Sequence, residues 1–274
     1  MFRRQYRGED RPLRKILPSL FPEVPYSELC ALIRRKDVKI NDKRVGDGSL
    51  IVTEGDEISV YPKKKKDIAV VYEDENIMVC NKPKGIASNG VGGYESLVRA
   101  QVGENVVLMH RLDTNTDGLL LFAKNPLAEK ELFQAIKNGF VEKVYHAEVY
   151  GHPKVFEDCH LLYYYKKNEE EQRALISRTP REGYVPVELT FHVLQEKEQS
   201  SLLQVTLHKG KMHQIRAMLA SYGFFILGDG KYGDDHVNKM LGIKRHLLTA
   251  TEIKFHFSPK AKLFYLNTVP IAIL

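Results

Sequence analysis

The most informative stretch of the sequence is a polar loop that leads directly into an apolar run. His110, Arg111 and Asp113 open this loop, and the apolar run 119–123 follows it. A carboxylate held near a hydrophobic core usually needs a cation beside it to stay ionised. Arg216 is the natural candidate for this cation. Its segment, HKGKMHQIRAML, is typical of a turn entering a helix. An ionised carboxylate of this kind can act as a nucleophile or as a general base.

The same residues also allow a purely structural interpretation. A loop rich in Asp, Asn and Thr often does no more than satisfy its own backbone, and Asp117 is expected to accept backbone hydrogen bonds in this way. His213 precedes a predicted helix and is expected to cap its N-terminus. Tyr145 lies in an alternating strand, where a tyrosine most often packs in the core. Single residues therefore leave both interpretations open.

Several other chemistries lack their motifs in this sequence. The stretch Gly90 to Gly93 has neither a GK[ST] ending nor GxGxxG spacing, and HExxH, GxSxG and Cys/His clusters are missing. No cofactor and no metal are therefore expected. The three cysteines, Cys30, Cys80 and Cys159, are widely spaced, and we expect reduced structural thiols.

The charge of the chain is unevenly distributed. The 274 residues carry a net charge of +6, and residues 1–66 hold 16 Lys and Arg against 10 Asp and Glu. The remainder holds 25 of each, so all of the excess lies in the first quarter. A basic module of this kind indicates binding to a polyanion such as nucleic acid, although a lysine-rich face can also serve solubility alone. Neither a membrane span nor a secretion signal is expected, which makes the cytoplasm the default location.

The chain divides into two predicted domains, 1–66 and 67–274, at a run of four lysines. After an unstructured basic start, Pro12 is expected in the first turn of a short helix, and a second helix is expected to begin near Ser27 as its N-cap. VKINDKRV predicts two strands joined by an Asn-Asp turn, and EGDEISVY predicts a further strand. The four lysines Lys63 to Lys66 are expected to form a linker.

The larger domain is predicted to be α+β, with a central mixed, largely antiparallel sheet. The strand-like segments are IAVVYED, IMVCNKP, GLLLFAKN, KVYHAEVYG, VELTFHVL, LLQVTLHKG and EIKFHF. One helix is clearly marked, since it begins after Asn125-Pro126 and ends at Asn138-Gly139.

Four ordered motifs carry a resemblance to a known family. HRLDTNTDGLLLFAKN resembles the signature of the RluA family of pseudouridine synthases, and NKPKGIAS, EKVYHAEVYG and HKGKMHQIRAMLASYGFFILGDGKYG extend the likeness over residues 68–270. Thr114-Asn115 and Gly230-Lys231 depart from the usual pattern. Residues 10–61, with Arg11 and Lys15 on the first helix, resemble the S-four RNA-binding domain.

The resemblance implies a pseudouridine synthase fold and a cofactor-independent isomerase. By this likeness Asp113 is the catalytic carboxylate, Arg216 its partner and Tyr145 the base-facing aromatic, while Arg111 helps to hold RNA with the target base extruded. The loop at Leu227, Gly228, Asp229, Tyr232 and Gly233 is expected to shape the edge of the site. The implied substrate-binding residues are Arg111, His110, Leu227, Arg34, Arg35, Lys36, Lys39, Lys43 and Arg44.

Two functional hypotheses follow from these expectations. The first is a monomeric, cytoplasmic pseudouridine synthase acting on structured RNA, with large-subunit ribosomal RNA favoured over transfer RNA as its substrate. The second is a non-catalytic RNA-binding protein or ribosome-assembly factor that uses the basic module and keeps the larger domain as a scaffold. Asp113 discriminates between them, because a scaffold needs no acid at that position.

Overall fold

The chain contains two compact units, Met1–Lys66 and Asp67–Leu274. The computed structural model describes residues 1–22, 24, 26–61, 68–154 and 157–273, and the predicted linker Lys63 to Lys66 lies outside these ranges. Among the residues described, no helix is both long enough and apolar enough to cross a membrane.

The N-terminal unit combines two helices with short strands. Its strands are β1 (Phe2–Gln5), β2 (Arg11–Pro12), β3 (Val38–Ile40), β4 (Lys43–Val45), β5 (Ile51–Val52) and β6 (Glu57–Val60), and its helices are α1 (Leu13–Leu20) and α2 (Tyr26–Arg34). Four strands form a sheet in the order β1-β6-β3-β4, and β2 pairs with β5. Asn41 and Asp42 make the β3–β4 turn with positive φ angles of 48° and 62°, as the Asn-Asp pair predicted.

Three expectations for this unit were wrong. The basic start is not unstructured, because Phe2–Gln5 pairs antiparallel with β6 and obtains its hydrogen bonds from that partner strand. Arg11 lies in β2 rather than on the first helix, and Pro12 precedes that helix as its N-cap. The second helix begins at Tyr26, close to the predicted start, so Ser27 lies inside the helix and not at its N-cap. The apolar faces of both helices are buried, through Leu13, Ile16, Leu17, Leu29, Leu32 and Ile33.

The larger unit is built on an eleven-stranded sheet. Its strands are β7 (Ala69–Glu73), β8 (Ile77–Lys82), β9 (Val107–Leu108), β10 (Asp117–Ala123), β11 (Val141–Tyr150), β12 (Cys159–Asn168), β13 (Arg173–Ser177), β14 (Val185–Glu196), β15 (Ser200–Leu207), β16 (Leu248–Phe255) and β17 (Ile271–Ala272). The main order is β13-β12-β14-β15-β11-β16-β10-β8-β7, with β17 on β16 and β9 on β10. Every described pairing is antiparallel except β10 with β16, which confirms a mixed, largely antiparallel α+β fold.

Helices cover this sheet at a few places. They are α3 (Tyr94–Val102), α4 (Pro126–Asn138), α5 (Gln214–Tyr222), α6 (Asp235–Met240) and the 3-10 helix Phe264–Thr268. The boundaries of α4 agree with the prediction. Asn125 caps its start by accepting a hydrogen bond from the Ala128 amide at 2.9 Å, and Gly139 ends it with a φ of 82°.

Strand β10 fixes the position of the loop that precedes it. Leu120 and Phe122 pack in a core with Met218 of α5, while Leu119 and Leu121 pack in a second core that includes residues of α4. The strand is thus buried on both faces. At its start Gly118 has a φ of 107°, and a Cβ there would lie 2.1 Å from the Ala250 carbonyl oxygen. Only glycine permits this close parallel approach of β10 to β16.

Candidate active site

A cavity of about 660 Å³ opens beside the loop that leads into β10. Three parts of the chain supply most of its wall: residues 108–114, the β11 residues Lys143 and Tyr145, and residues 210–216 at the entry to α5. Arg111, Asp113 and Arg216 are therefore brought together from distant parts of the sequence. Asp117 lies outside the lining of this cavity.

Hydrogen bonds on both sides of Asp113 hold its loop in place. On one side, Ser88 Oγ donates to the Leu112 carbonyl at 2.7 Å and accepts from the Leu112 amide at 2.9 Å. On the other side, the Thr114 carbonyl accepts from the Gly85 amide at 2.8 Å and from Lys82 Nζ at 3.4 Å. The carboxylate is thus mounted on a loop with little freedom to move.

Arg216 joins Asp113 to a second acid, Asp229. Arg216 Nη1 donates to Asp113 Oδ2 at 2.7 Å, while Nε and Nη2 donate to the two oxygens of Asp229 at 2.7 and 2.8 Å. The side chain of Asp229 is fully buried, whereas that of Asp113 is 23% exposed. Asp113 Oδ1 has no hydrogen-bond partner within the described parts of the chain. One oxygen of Asp113 is therefore fixed, and the other is left open.

The charges of this group stabilise one another. Burial alone lowers the pKa of Arg216, but its hydrogen bonds and the charges of Asp229 and Asp113 raise that pKa above its usual value. Burial likewise raises the pKa of Asp229, and the contacts with Arg216 outweigh this effect and lower the pKa overall. The guanidinium and the Asp229 carboxylate consequently remain ionised at neutral pH.

His213 does not cap α5 as expected. It occupies the N-cap position with a left-handed φ of 57°, and its side chain makes no capping hydrogen bond. A capping side chain normally requires an extended backbone at this position. Instead, His213 Nδ1 lies 3.0 Å from Tyr232 Oη, and Nε2 lies 3.8 Å from Asp113 Oδ2. The side chain of His213 therefore faces the carboxylate.

Asp117 also differs from its predicted role. Its Oδ1 accepts a hydrogen bond from Thr249 Oγ1 at 2.7 Å and lies 3.7 Å from Lys84 Nζ, so the partners are side chains and not backbone amides. The reason is that Asp117 already belongs to β10 and is paired with Thr249 of β16 in register.

Tyr145 is buried in β11 and lines the cavity. Burial, together with the negative charge of Asp113, raises the pKa of its phenol well above the usual value. Tyr145 therefore presents a neutral, largely apolar ring at neutral pH. Arg111 also lines the cavity but is exposed, and no hydrogen bond or ion pair occupies its side chain in the described structure.

The other predicted substrate residues have different environments. His110 lines the cavity, and its Nε2 accepts a hydrogen bond from the Leu121 amide at 3.3 Å. Burial and the nearby Lys143 lower the pKa of His110 to about 3, so its ring is neutral. Leu227 does not line the cavity. It is buried, and its backbone pairs with Glu148 and Leu247.

The basic residues predicted to contact RNA lie in the N-terminal unit. Arg34, Lys36, Lys43 and Arg44 are exposed, and Lys39 is half-buried. Arg35 is also exposed, but it forms ion pairs with Glu28 at 2.8 Å and with Asp37 at 3.2 Å. Its charge is therefore partly neutralised within the protein.

The sequence did not indicate the contacts that four residues of the site make. Asp229 and Tyr232 were expected only to shape a loop, and the buried lysines Lys82 and Lys143 were not considered. Burial lowers the pKa of each lysine to about 8. The available signal was an acid two positions after the apolar run FFIL, and a lysine two positions after the apolar strand IMVC. Neither pattern reveals its partner.

A carboxylate hydrogen-bonded to arginine, beside a buried aromatic ring and an exposed cation, defines a site suited to a planar base carried by a polyanion. Residues 76–221 match the family model described as RNA pseudouridylate synthase. The chain belongs to the RNA pseudouridylate synthase family. It is accordingly an isomerase that converts uridine to pseudouridine in RNA.

Individual relatives agree with this assignment. The ribosomal large subunit pseudouridine synthase C of Rickettsia bellii is 31% identical over 81% of this chain and 83% of its own length. The protein of the same name from Vibrio parahaemolyticus is 30% identical over 85% of this chain and 81% of its own length. In fold, the chain resembles human RNA pseudouridylate synthase domain containing 1, with a TM-score of 0.63 and 20% identity over 78% of this chain and 86% of that one.

Proposed function

We propose that this enzyme forms pseudouridine in large-subunit ribosomal RNA and that Asp113 is its catalytic carboxylate. The names of the two bacterial relatives support this choice of substrate, and both align over more than four fifths of their own length. The observation that carries the catalytic assignment is the 2.7 Å hydrogen bond between Arg216 Nη1 and Asp113 Oδ2 at the wall of the cavity.

The reaction requires an anion of this type. The bond between uracil N1 and the ribose must break, the base must turn, and a new bond must form to carbon 5, whose proton is then lost while N1 gains one. An ionised carboxylate can promote these steps by attacking the nucleotide or by acting as a base at the ribose. The open Oδ1 of Asp113 is the atom placed to do so, because Oδ2 is bound to Arg216.

Tyr145 and Arg111 are assigned to the extruded base. A uridine must leave its stack to reach a cavity, which costs a few kcal/mol, and stacking on an aromatic ring offsets part of that cost. The buried, neutral ring of Tyr145 is suited to this contact. The exposed guanidinium of Arg111 is suited to the RNA around the vacated position.

Arg216 is assigned as the partner that holds Asp113 in its orientation through the hydrogen bond to Oδ2. The N-terminal unit is assigned to RNA binding, because its exposed arginines and lysines can neutralise phosphates without reading sequence. The proposal includes a monomeric enzyme with a cytoplasmic location.

Mapping of pseudouridines in total RNA tests the substrate assignment. Cells with and without the gene are compared by carbodiimide labelling and primer-extension stops, and the deletion strain is complemented with wild type, Asp113→Asn or Asp117→Asn. We expect a stop in large-subunit ribosomal RNA that wild type and Asp117→Asn restore and Asp113→Asn does not. If the deletion strain lost a stop in transfer RNA and kept every stop in ribosomal RNA, that result would contradict the proposed substrate.

A further inference from the structure

We propose that His213 is a positioning residue for Asp113 and that Tyr232 fixes the imidazole tautomer in which Nε2–H faces the carboxylate. This inference rests on the proposed catalytic role of Asp113. It follows from a chain of contacts that links β13 to the cavity through Tyr232, His213 and Asp113.

The hydroxyl of Tyr232 lies between a backbone amide and a ring nitrogen of His213. Tyr232 Oη accepts a hydrogen bond from the Ala174 amide of β13 at 2.6 Å. A phenol has one proton to donate, and the acceptor within reach in the described structure is His213 Nδ1 at 3.0 Å. Donation by Tyr232 satisfies both groups. His213 Nδ1 is then an acceptor and carries no proton.

The opposite ring nitrogen of His213, Nε2, faces Asp113. A neutral imidazole that accepts at Nδ1 carries its proton on Nε2. His213 Nε2 lies 3.8 Å from Asp113 Oδ2, a distance that permits electrostatic attraction but is too long for a hydrogen bond. Catalytic hydrogen bonds often tighten only when the substrate is in place. The N–H of His213 thus supports the same oxygen that Arg216 holds, which leaves Oδ1 for the nucleotide.

The backbone of His213 and the contacts of the Tyr232 ring hold this arrangement in place. His213 adopts a left-handed backbone conformation with a φ of 57°, which most side chains avoid. The ring of Tyr232 lies 5.2 Å from the guanidinium carbon of Arg216 and also 5.2 Å from that of Arg173. Arg173 in turn donates a hydrogen bond to the Lys231 carbonyl. Tyr232 is therefore anchored independently of His213 and can impose a tautomer on it.

The matched pair His213→Asn and His213→Gln tests the positioning role. Asn tolerates left-handed backbone better than other non-glycine residues, and its amide occupies the place of Nδ1 but cannot reach Asp113. The Gln amide nitrogen can occupy the place of Nε2. His236, which is exposed on α6, provides the control His236→Asn.

We expect His213→Asn to lower kcat about tenfold, equivalent to about 1.4 kcal/mol, with KM for RNA unchanged within about twofold. His213→Gln should recover at least about a third of the wild-type kcat, and Tyr232→Phe should lower kcat without changing KM. Equal kcat values for Asn, Gln and wild type would overturn the proposal, as would an effect confined to KM. Asp113→Asn is assayed in parallel, because normal product from that variant refutes the proposed function itself rather than the role of His213.

The tautomer can be observed directly. In protein labelled with ¹⁵N-histidine, long-range proton–nitrogen correlation spectra distinguish a ring protonated at Nε2 from one protonated at Nδ1. The resonances of His213 are identified by their disappearance in His213→Asn. We expect the Nε2–H form in wild type and a mixture of tautomers in Tyr232→Phe. A predominantly Nδ1–H ring in the wild-type enzyme would overturn the proposal.

Discussion

Arg216 and the fully buried Asp229 form a two-point ion pair, and this pair orients the third guanidinium nitrogen toward Asp113. Asp229 Oδ1 also accepts hydrogen bonds from the amides of Lys231 and Tyr232 at 2.8 and 3.1 Å. A buried carboxylate with this many donors recovers much of the hydration that folding removed. Asp229 therefore determines where the cation beside Asp113 lies, although Asp229 does not line the cavity.

Replacement of Asp229 is expected to destabilise the fold. Asp229→Asn keeps the shape of the side chain but removes one partner of a buried ion pair, so the free energy of unfolding should fall by about 3 kcal/mol. Urea denaturation measures the change. Asp235→Asn, an exposed acid nearby on α6, is the matched control and should remain close to wild type. Equal stability of the two variants would show that Asp229 is not needed to balance Arg216.

Acid should destabilise the enzyme before most carboxylates titrate. Burial lowers the pKa of His110 to about 3 and that of His246 to about 4, whereas both titrate near 6.5 in an unfolded chain. The unfolded state therefore binds more protons below about pH 6.5, and stability decreases as the pH falls toward 4. Each histidine contributes a slope of up to about 1.4 kcal/mol per pH unit.

Urea midpoints between pH 7 and pH 5 measure this dependence. His246→Gln should flatten the profile, because it removes one of these two neutral rings, and its amide can still bond to Thr116, whose Oγ1 lies 2.8 Å from His246 Nε2. His236→Gln, at an exposed site, is the control. If His246→Gln and wild type gave parallel profiles, the burial of His246 would not be a source of acid sensitivity.

The ring of Tyr145 should contribute more to RNA affinity than its hydroxyl does. Tyr145→Phe keeps the aromatic surface, so RNA affinity should remain within about twofold of wild type. Tyr145→Leu removes the stacking surface and should weaken binding by about 1–3 kcal/mol. Filter binding to an RNA that contains the target uridine measures both. A similar decrease of affinity in the Phe and Leu variants would indicate that the hydroxyl, and not the ring, binds the base.

Salt dependence should reveal the role of the N-terminal unit. Replacement of Arg34, Lys36, Lys43 and Arg44 by Gln in the full chain should weaken RNA binding. The slope of log affinity against log salt should become shallower by about 0.7–0.9 for each phosphate that the variant no longer neutralises. Four exposed lysines of the larger unit, Lys130, Lys154, Lys260 and Lys262, replaced in the same way, form the control. An unchanged slope in the N-terminal variant would remove these residues from the RNA-binding surface.

Local signals in the sequence were sufficient to predict the strand and the helix that carry the site. Strand β10 and helix α4 follow from an apolar run and from matched capping residues, which act within a few positions of the chain. The N-terminal strand Phe2–Gln5 could not be recognised in this way. All four of its side chains are exposed, so no hydrophobic alternation marks it, and it forms by pairing with β6, more than fifty residues away.

The partners within the site depend on tertiary contacts. Asp113 and Arg216 are 103 residues apart, and their pairing was inferred from chemistry and family order rather than from spacing. The bonds from Arg216 to Asp229 and from His213 to Tyr232 join residues 13 and 19 positions apart across a turn. No periodic pattern marks such a pair. The cap predicted for His213 failed because its backbone is left-handed, which residue type alone did not indicate.

The most direct test of the catalytic role of Asp113 is tritium release from RNA carrying [5-³H]uridine, because isomerisation releases the proton on carbon 5 to solvent. Purified Asp113→Asn should bind this RNA with wild-type affinity and release no tritium above background. Asp117→Asn, whose side chain lies outside the cavity, should release tritium at a rate close to wild type. Release by Asp113→Asn at a rate comparable to wild type would contradict the assignment of Asp113 as the catalytic carboxylate.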